Sequence, residues 1–147
     1  MDIAIISPGK KHGQETGALI ADYEKRLRGR FDVSWLFPKP GTPDEEGAAI
    51  MKALSGRDFV VLFDGRGRAT SSEGFAETIA KAEGSGRKRI VFVIGGAYGV
   101  SSALRERADA CVSLSLLTFP HALVRLIAVE QLYRAAEILR GGRYHHA

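Results

Sequence analysis

A glycine-rich segment at 95–99 (GGAYG) follows an apolar run and precedes a short helical pattern. Glycine lets a chain turn sharply and approach a ligand closely, so the segment suits either a tight turn or a ligand-binding loop. Its spacing does not match the G-x-G-x-x-G fingerprint of dinucleotide-binding folds, and no Gly-Lys-Ser/Thr follows it as in a P-loop. The pattern leaves the turn and the binding loop equally open, and it argues against both nucleotide motifs.

Two other segments also follow apolar runs. The segment 64–68 (DGRGR) is basic. Such runs are usually solvated loops, but these arginines could also contact phosphates. The apolar segment Leu114–Phe119 carries Ser115 and Thr118 ahead of a proline. It suits either the core or the wall of a pocket in which backbone groups contact a flat heterocycle.

Two residues near the start of the C-terminal helical pattern are further candidates. Arg125 falls on an apolar stripe with Val129 and Leu132, where a charge needs a partner. His121 lies one turn earlier on nearly the same face. The pattern fits an interfacial salt bridge beside a terminal histidine, and it fits equally two groups that face an anion or a reacting base.

The C-terminal residues 141–146 (GGRYHH) are basic and aromatic. A frayed end is the more common state of such a segment. Tyr144 and His145 would also suit contacts with RNA, which is recognised by stacking and by cationic side chains.

Strand and helix patterns alternate along the chain and would position these segments. Apolar and β-branched runs predict strands at 2–7, 31–37, 58–63, 89–94 and 110–115. Helical spacing and capping residues predict helices at 14–28, 43–54, 71–82, 101–108 and 120–140.

This alternation predicts an α/β fold, a mostly parallel sheet with helices on both faces. Ligands of such sheets bind beyond the carboxyl ends of the strands, where the loops 64–70, 95–99 and 115–119 should meet. The last helix has an apolar arc wider than one core-facing stripe requires, which suggests that a second subunit also covers it.

Composition narrows the class of protein. The 147 residues suit one domain, 1–147, with 45% apolar and 26% charged residues. No apolar run approaches the roughly 20 residues that span a bilayer, and the N-terminus does not resemble a signal peptide. The single cysteine, Cys111, excludes an intrachain disulfide and fits a reducing cytosol. The four histidines lack zinc-site spacing, and the net charge of +4 weakly favours an anionic partner.

Larger blocks of sequence resemble one bacterial family. The segments 91–100 (VFVIGGAYGV) and 113–147 (SLSLLTFPHALVRLIAVEQLYRAAEILRGGRYHHA) are similar to the ribosomal RNA large subunit methyltransferase H family, which is also called YbeA-like. The similarity continues upstream in 1–10, 21–29 and 61–76 and so covers nearly the whole chain. These are small SPOUT-class enzymes, which methylate N3 of a pseudouridine in 23S ribosomal RNA.

The resemblance implies a SPOUT fold with a C-terminal trefoil knot that binds S-adenosylmethionine, and a cytoplasmic homodimer that acts on assembled ribosomes without a metal. The family's cofactor contacts fall on Phe63, Gly95, Leu114, Ser115, Leu116, Leu117, Thr118 and Phe119. Phe63 stands where the family usually has an aliphatic residue, and positions 97–98 vary within the family.

The reaction requires loss of the N3 proton and stabilisation of charge on the base. We expect His121, Arg125, Tyr144 and His145 to serve it, with the last two reaching across the dimer. The segments 64–68 and 25–30 are candidate phosphate contacts.

An unrelated α/β nucleotide-binding enzyme would need a phosphate loop that the sequence lacks. A non-catalytic RNA-binding protein would have no reason to bind S-adenosylmethionine. A SPOUT enzyme that acts on another RNA is a further alternative, and only the family resemblance argues against it.

Overall fold

In the computed structural model, all five strands pair in parallel into one sheet. The structure describes residues 1–96 and 98–146. The elements in chain order are β1 (Asp2–Ile6), α1 (Gln14–Leu27), β2 (Asp32–Leu36), α2 (Pro43–Ala53), β3 (Asp58–Ala69), α3 (Ser72–Gly84), β4 (Arg89–Ile94), α4 (Ser102–Arg107), β5 (Ala110–Ser113) and α5 (His121–Leu139). The sheet order is β2-β1-β4-β3-β5. The predicted α/β fold with a parallel sheet is confirmed.

Helices cover both faces of this sheet, as predicted. Alternate strand residues such as Ile5, Phe63 and Phe92 face a core shared with α1, α3 and α5. The intervening residues face a second, smaller core that includes Ile50 of α2 and Leu104 of α4. Because successive side chains of a strand point to opposite faces, a strand segment buried on both sides must be apolar throughout, as β3 is over residues 59–63 and β4 is over residues 90–94.

Side-chain caps fix where three of the helices begin. Thr42 accepts a hydrogen bond from the backbone N–H of Glu45, whose carboxylate accepts one from the backbone N–H of Thr42. Ser71 and Ser101 cap α3 and α4 in the same way, each through its hydroxyl oxygen. Each cap satisfies backbone donors that have no partner within the helix, so these helices begin where the sequence indicated.

The predicted loop over residues 64–70 is wrong for most of its length, because β3 continues to Ala69. Phe63 and Arg68 both pair with Val112 of β5, so the four residues between them form a bulge in one long strand. A Cβ on Gly67 would lie 2.8–2.9 Å from the backbone of β5. Glycine at this position therefore allows the close approach that continues the strand past the bulge.

The amino ends of the strands carry a network of satisfied charges. Asp58, which is buried, accepts hydrogen bonds of 3.0 and 2.8 Å from Arg89. Burial favours the neutral acid, but the hydrogen bonds from Arg89 and from Ser55 together outweigh it and hold the pKa of Asp58 below its usual value. At the same end, Arg30 forms an ion pair of 2.6 Å with Glu83. The backbone carbonyl of Arg30 accepts a hydrogen bond from the N-terminal ammonium of Met1. The candidate phosphate-binding segment 25–30 thus ends at the edge opposite the loops that follow the strands.

The last helix, α5, packs across α1 and α3 on one face of the sheet. It buries Ala128, Val129 and Leu132, while Leu123 stays 46% exposed. No helix within 1–96 and 98–146 has the length and apolar character needed to cross a membrane. The trefoil knot and the covering of α5 by a second subunit stay predictions.

Candidate active site

A half-open cleft of 240 Å³ lies beyond the carboxyl ends of β4 and β5 and beside the bulge of β3. It is lined by Phe63, Asp64, Gly65, Ile94, Gly95, Gly96, Gly99, Val100, Ser113, Leu114, Ser115, Leu117, Thr118, Phe119, His121 and Val124. The three segments that the sequence placed at this edge therefore meet around one cleft, as the rule for parallel sheets predicts.

The glycine segment after β4 forms one wall, apart from Ala97, which lies outside the described residues. The N–H of Gly99 donates to the carbonyl of Gly96 at 3.2 Å and closes a turn. A Cβ on Gly96 would collide with the carboxylate of Glu46, and Glu46 in turn accepts a hydrogen bond of 3.1 Å from the backbone of Gly41. Glu46 is buried, so this wall rests directly on the first turn of α2.

The segment Leu114–Phe119 forms the facing wall, and its backbone is held by local hydrogen bonds. The hydroxyl of Ser113 donates to the carbonyl of Ser115 at 3.0 Å, and the N–H of Leu117 donates to the hydroxyl of Ser115 at 3.0 Å. Leu116 is 96% exposed and does not line the cleft with its side chain. The wall thus presents backbone groups and small polar side chains to a ligand.

Phe63 forms the apolar floor. Its ring stacks on Phe92, with centroids 5.6 Å apart, and contacts Phe75 at 5.9 Å. The side chain is therefore fixed by the core while one side of it borders the cleft. A rigid apolar surface of this kind suits a flat or aliphatic part of a ligand.

His121, the first residue of α5, also borders the cleft. Arg125, one turn later, does not line it and points instead to the loop between β1 and α1. Its guanidinium donates to the hydroxyl of Ser7 at 2.8 Å and to the carbonyls of Lys10 and Pro8 at 2.7 and 3.2 Å. The structure therefore separates the two side chains that the sequence placed on one helix face.

The charge of Arg125 is met by neutral acceptors and an aromatic ring. Within the described residues it pairs with no carboxylate, and its guanidinium carbon lies 4.8 Å from the centroid of Phe37. Burial lowers the pKa of Arg125, because a charged group loses hydration there. Arg125 links α5 to the end of β1. It thereby fixes the position of the first turn of α5, where His121 borders the cleft.

The C-terminal residues bind their own chain away from the cleft. Tyr144 donates a hydrogen bond of 3.1 Å to Glu130, and the ring of His145 lies 3.0 Å from Arg134 and 2.7 Å from Glu73. Burial, together with the neighbouring Tyr23 and Glu130, raises the pKa of Tyr144, so its phenol is neutral at physiological pH. Tyr144 and His145 are thus docked rather than frayed, on the middle of α5 and the start of α3.

The structure brings together most of the predicted cofactor residues and one predicted catalytic residue. Phe63, Gly95, His121 and all but Leu116 of the segment Leu114–Phe119 line the cleft, whereas Arg125, Tyr144 and His145 do not. Sequence reasoning missed Glu46, although its place in the first turn of α2 was visible. It also missed the ion pair of Asp64 with Arg105 beside the cleft, which no local pattern signals.

Comparison with known proteins supports the family resemblance. Residues 1–145 match the model of a family described as "Predicted SPOUT methyltransferase". The chain is 42% identical to the ribosomal RNA large subunit methyltransferase H of Christiangramia forsetii and 41% identical to that of Flavobacterium johnsoniae, each over 99% of both chains. It is 43% identical to that of a Synechococcus species, over 99% of this chain and 95% of the relative.

Proposed function

This chain belongs to the SPOUT methyltransferase family, and from that premise we propose that it transfers a methyl group from S-adenosylmethionine to N3 of a pseudouridine in 23S ribosomal RNA. The relatives' names supply the ribosomal RNA substrate. The methyl donor and the N3 position are parts of the proposal. Because its substrate would be the assembled ribosome, we propose that the enzyme acts in the cytoplasm.

One observation carries the proposal: Phe63, Gly95 and five of the six residues in Leu114–Phe119 converge on one cleft. Its walls fit S-adenosylmethionine, since the glycines allow close approach and the backbone of 114–119 offers donors and acceptors for the adenine edge. Phe63 would contact an apolar part of the cofactor. Within the described residues, no cluster of histidine, cysteine, aspartate and glutamate could hold a metal ion.

Bound S-adenosylmethionine supplies a methyl group on a positively charged sulfur, which is electrophilic without further activation. The chain has to orient the uracil-type base, exclude water and accept the N3 proton. His121 borders the cleft and is the candidate acceptor within one chain. Arg125 is proposed to be a positioning residue that holds α5 in place, because its N–H groups already donate to Ser7, Pro8 and Lys10.

We place Tyr144 and His145 in the catalytic machinery of a homodimer, with His145 as the alternative acceptor of the N3 proton. In one chain these residues lie away from the cleft, so a second chain is needed to bring them to a target base. The exposed Leu123 and partly exposed apolar neighbours on α5 supply a surface for that second copy. Arg134, which holds His145, is the candidate for stabilising charge on the base.

Methyl transfer to ribosomes tests the proposal. The purified protein is incubated with tritiated S-adenosylmethionine and 70S ribosomes that lack the modification, and any labelled nucleoside is identified by mass spectrometry. We expect label on N3 of one large-subunit pseudouridine. Cofactor binding without label would move the target elsewhere, and absence of both would favour a non-catalytic RNA-binding protein.

The contact between Gly96 and Glu46 gives a test of the cofactor site. Gly96→Ala should weaken binding of S-adenosylmethionine at least about tenfold, because the new methyl group must displace a buried carboxylate and with it the wall of the cleft. Isothermal titration calorimetry measures the Kd. The double variant Glu46→Ala/Gly96→Ala should regain the affinity of Glu46→Ala alone, since the clash is then gone. Equal affinity of Gly96→Ala and the parent would show that this wall does not contact the cofactor.

A further inference from the structure

The most exposed large apolar side chains of the described residues gather at the mouth of the cleft. Leu116 is 96% exposed, Tyr98 85% and Leu117 72%, whereas the next such residue, Leu19 on α1, is 53% exposed. Tyr98 lies between the cleft-lining Gly96 and Gly99, and Leu116 lies between the cleft-lining Ser115 and Leu117 on the facing segment. Large apolar groups left in water around a binding site usually mark a surface that a partner covers.

Tyr98 projects from a constrained turn. The Gly99 N–H to Gly96 carbonyl bond closes this turn, and Gly99 has a φ of +93°, a conformation that favours glycine. Gly96 and Gly99 both line the cleft. The ring of Tyr98 is therefore held beside the opening of the cleft while almost all of its surface remains available.

Exposed cationic side chains follow the cleft-lining residues of β3. Arg66 lies on the bulge, directly after the cleft-lining Asp64 and Gly65, and Arg68 follows the bulge. Neither arginine pairs with a carboxylate among the described residues, while Asp64 is engaged by Arg105. The margin of the cleft thus combines an aromatic ring, apolar side chains and unpaired positive charge.

We infer that Tyr98, Leu116 and Leu117 form an RNA-binding rim in which the ring of Tyr98 stacks on an unpaired base next to the modified nucleotide. Arg66 binds a backbone phosphate beside it. A base that reacts inside a cleft has to leave its stack, and its neighbours then need a substitute surface. Aromatic faces supply that surface to unpaired RNA, and arginines supply the phosphate contact. The inference rests on the proposed function and adds a specificity-determining contact to the same site.

Steady-state kinetics with ribosomes tests the rim. Tyr98→Ala should raise the KM for ribosomes about 5- to 100-fold, as expected for loss of one stacked base, while the Kd for S-adenosylmethionine stays unchanged. Tyr98→Phe should remain within about twofold of the parent, because stacking needs the ring and not the hydroxyl. Met51→Ala on α2 removes an exposed apolar side chain that does not line the cleft and serves as the matched control.

Other results would overturn the inference in distinguishable ways. If the KM for ribosomes is unchanged in Tyr98→Ala while the parent transfers methyl groups normally, the stacking contact is contradicted and the proposed function still holds. A shift of Tyr98→Ala from dimer to monomer in sedimentation velocity would show that a second copy covers the ring. Absence of methyl transfer by the parent protein removes both the rim and the proposed function.

Discussion

Replacing Arg125 with methionine should lower the free energy of unfolding by about 2 to 4 kcal/mol. The guanidinium satisfies the hydroxyl of Ser7 and the carbonyls of Pro8 and Lys10, all through buried or partly buried bonds. Methionine fills similar space but donates no hydrogen bond, so these acceptors would be left without a partner at the junction of β1 and α5. The variant also avoids the cost of removing a charged guanidinium from water. The loss of stability therefore stays below the summed free energies of the individual hydrogen bonds.

Urea denaturation monitored by circular dichroism measures this change. Arg26→Met is the matched control, because Arg26 forms an exposed pair with Asp22 that should contribute less than about 1 kcal/mol. Arg125→Lys should lie between the parent and Arg125→Met, since an ammonium keeps the charge but reaches fewer acceptors. Full stability of Arg125→Met, together with lost turnover and normal cofactor affinity, would instead support direct action of Arg125 on the substrate.

Replacing His145 with alanine should reduce methyl transfer about 100-fold or more, with little change in cofactor affinity or stability. General acid–base groups contribute at least this much to turnover, and His145 does not line the cofactor cleft of its own chain. The stability cost should be small because Glu73, its carboxylate partner, is 46% exposed. Single-turnover transfer from tritiated S-adenosylmethionine to ribosomes measures the rate.

Glu73→Gln is the matched control for this variant. The hydrogen bond from His145 is the main cause of the lowered pKa of Glu73, so this change weakens the same contact while it keeps the imidazole. It should retain most of the turnover. A loss equal to that of His145→Ala would show that docking of the chain end, rather than the imidazole, is what the reaction needs.

Mixed dimers show in which cleft His145 works. One chain carries Gly96→Ala and the other carries His145→Ala, so that each is impaired by itself. If His145 serves the partner's cleft, the mixed dimer contains one intact site and regains activity. If His145 serves its own chain, both clefts of the mixed dimer stay impaired.

The sequence by itself determined the order and type of the strands and helices and the edge at which the site forms. Alternating apolar runs and capping residues such as Thr42 and Ser71 act over a few neighbouring positions, so local pattern was sufficient for them. The rule for parallel sheets then placed the glycine segment after β4 and the segment Leu114–Phe119 at one edge. The family blocks assigned the methyltransferase function.

The tertiary structure decided what each candidate residue contacts. The bulge that continues β3 depends on the approach of Gly67 to β5, and the wall of the cleft depends on Glu46 lying against Gly96. The partner of Arg125 is a loop more than 100 positions earlier in the chain. These contacts join segments that are distant in sequence, and their geometry follows from how the helices pack on the sheet. Local periodicity carries no record of that packing, so the same arginine that the sequence placed beside His121 is found holding β1 to α5.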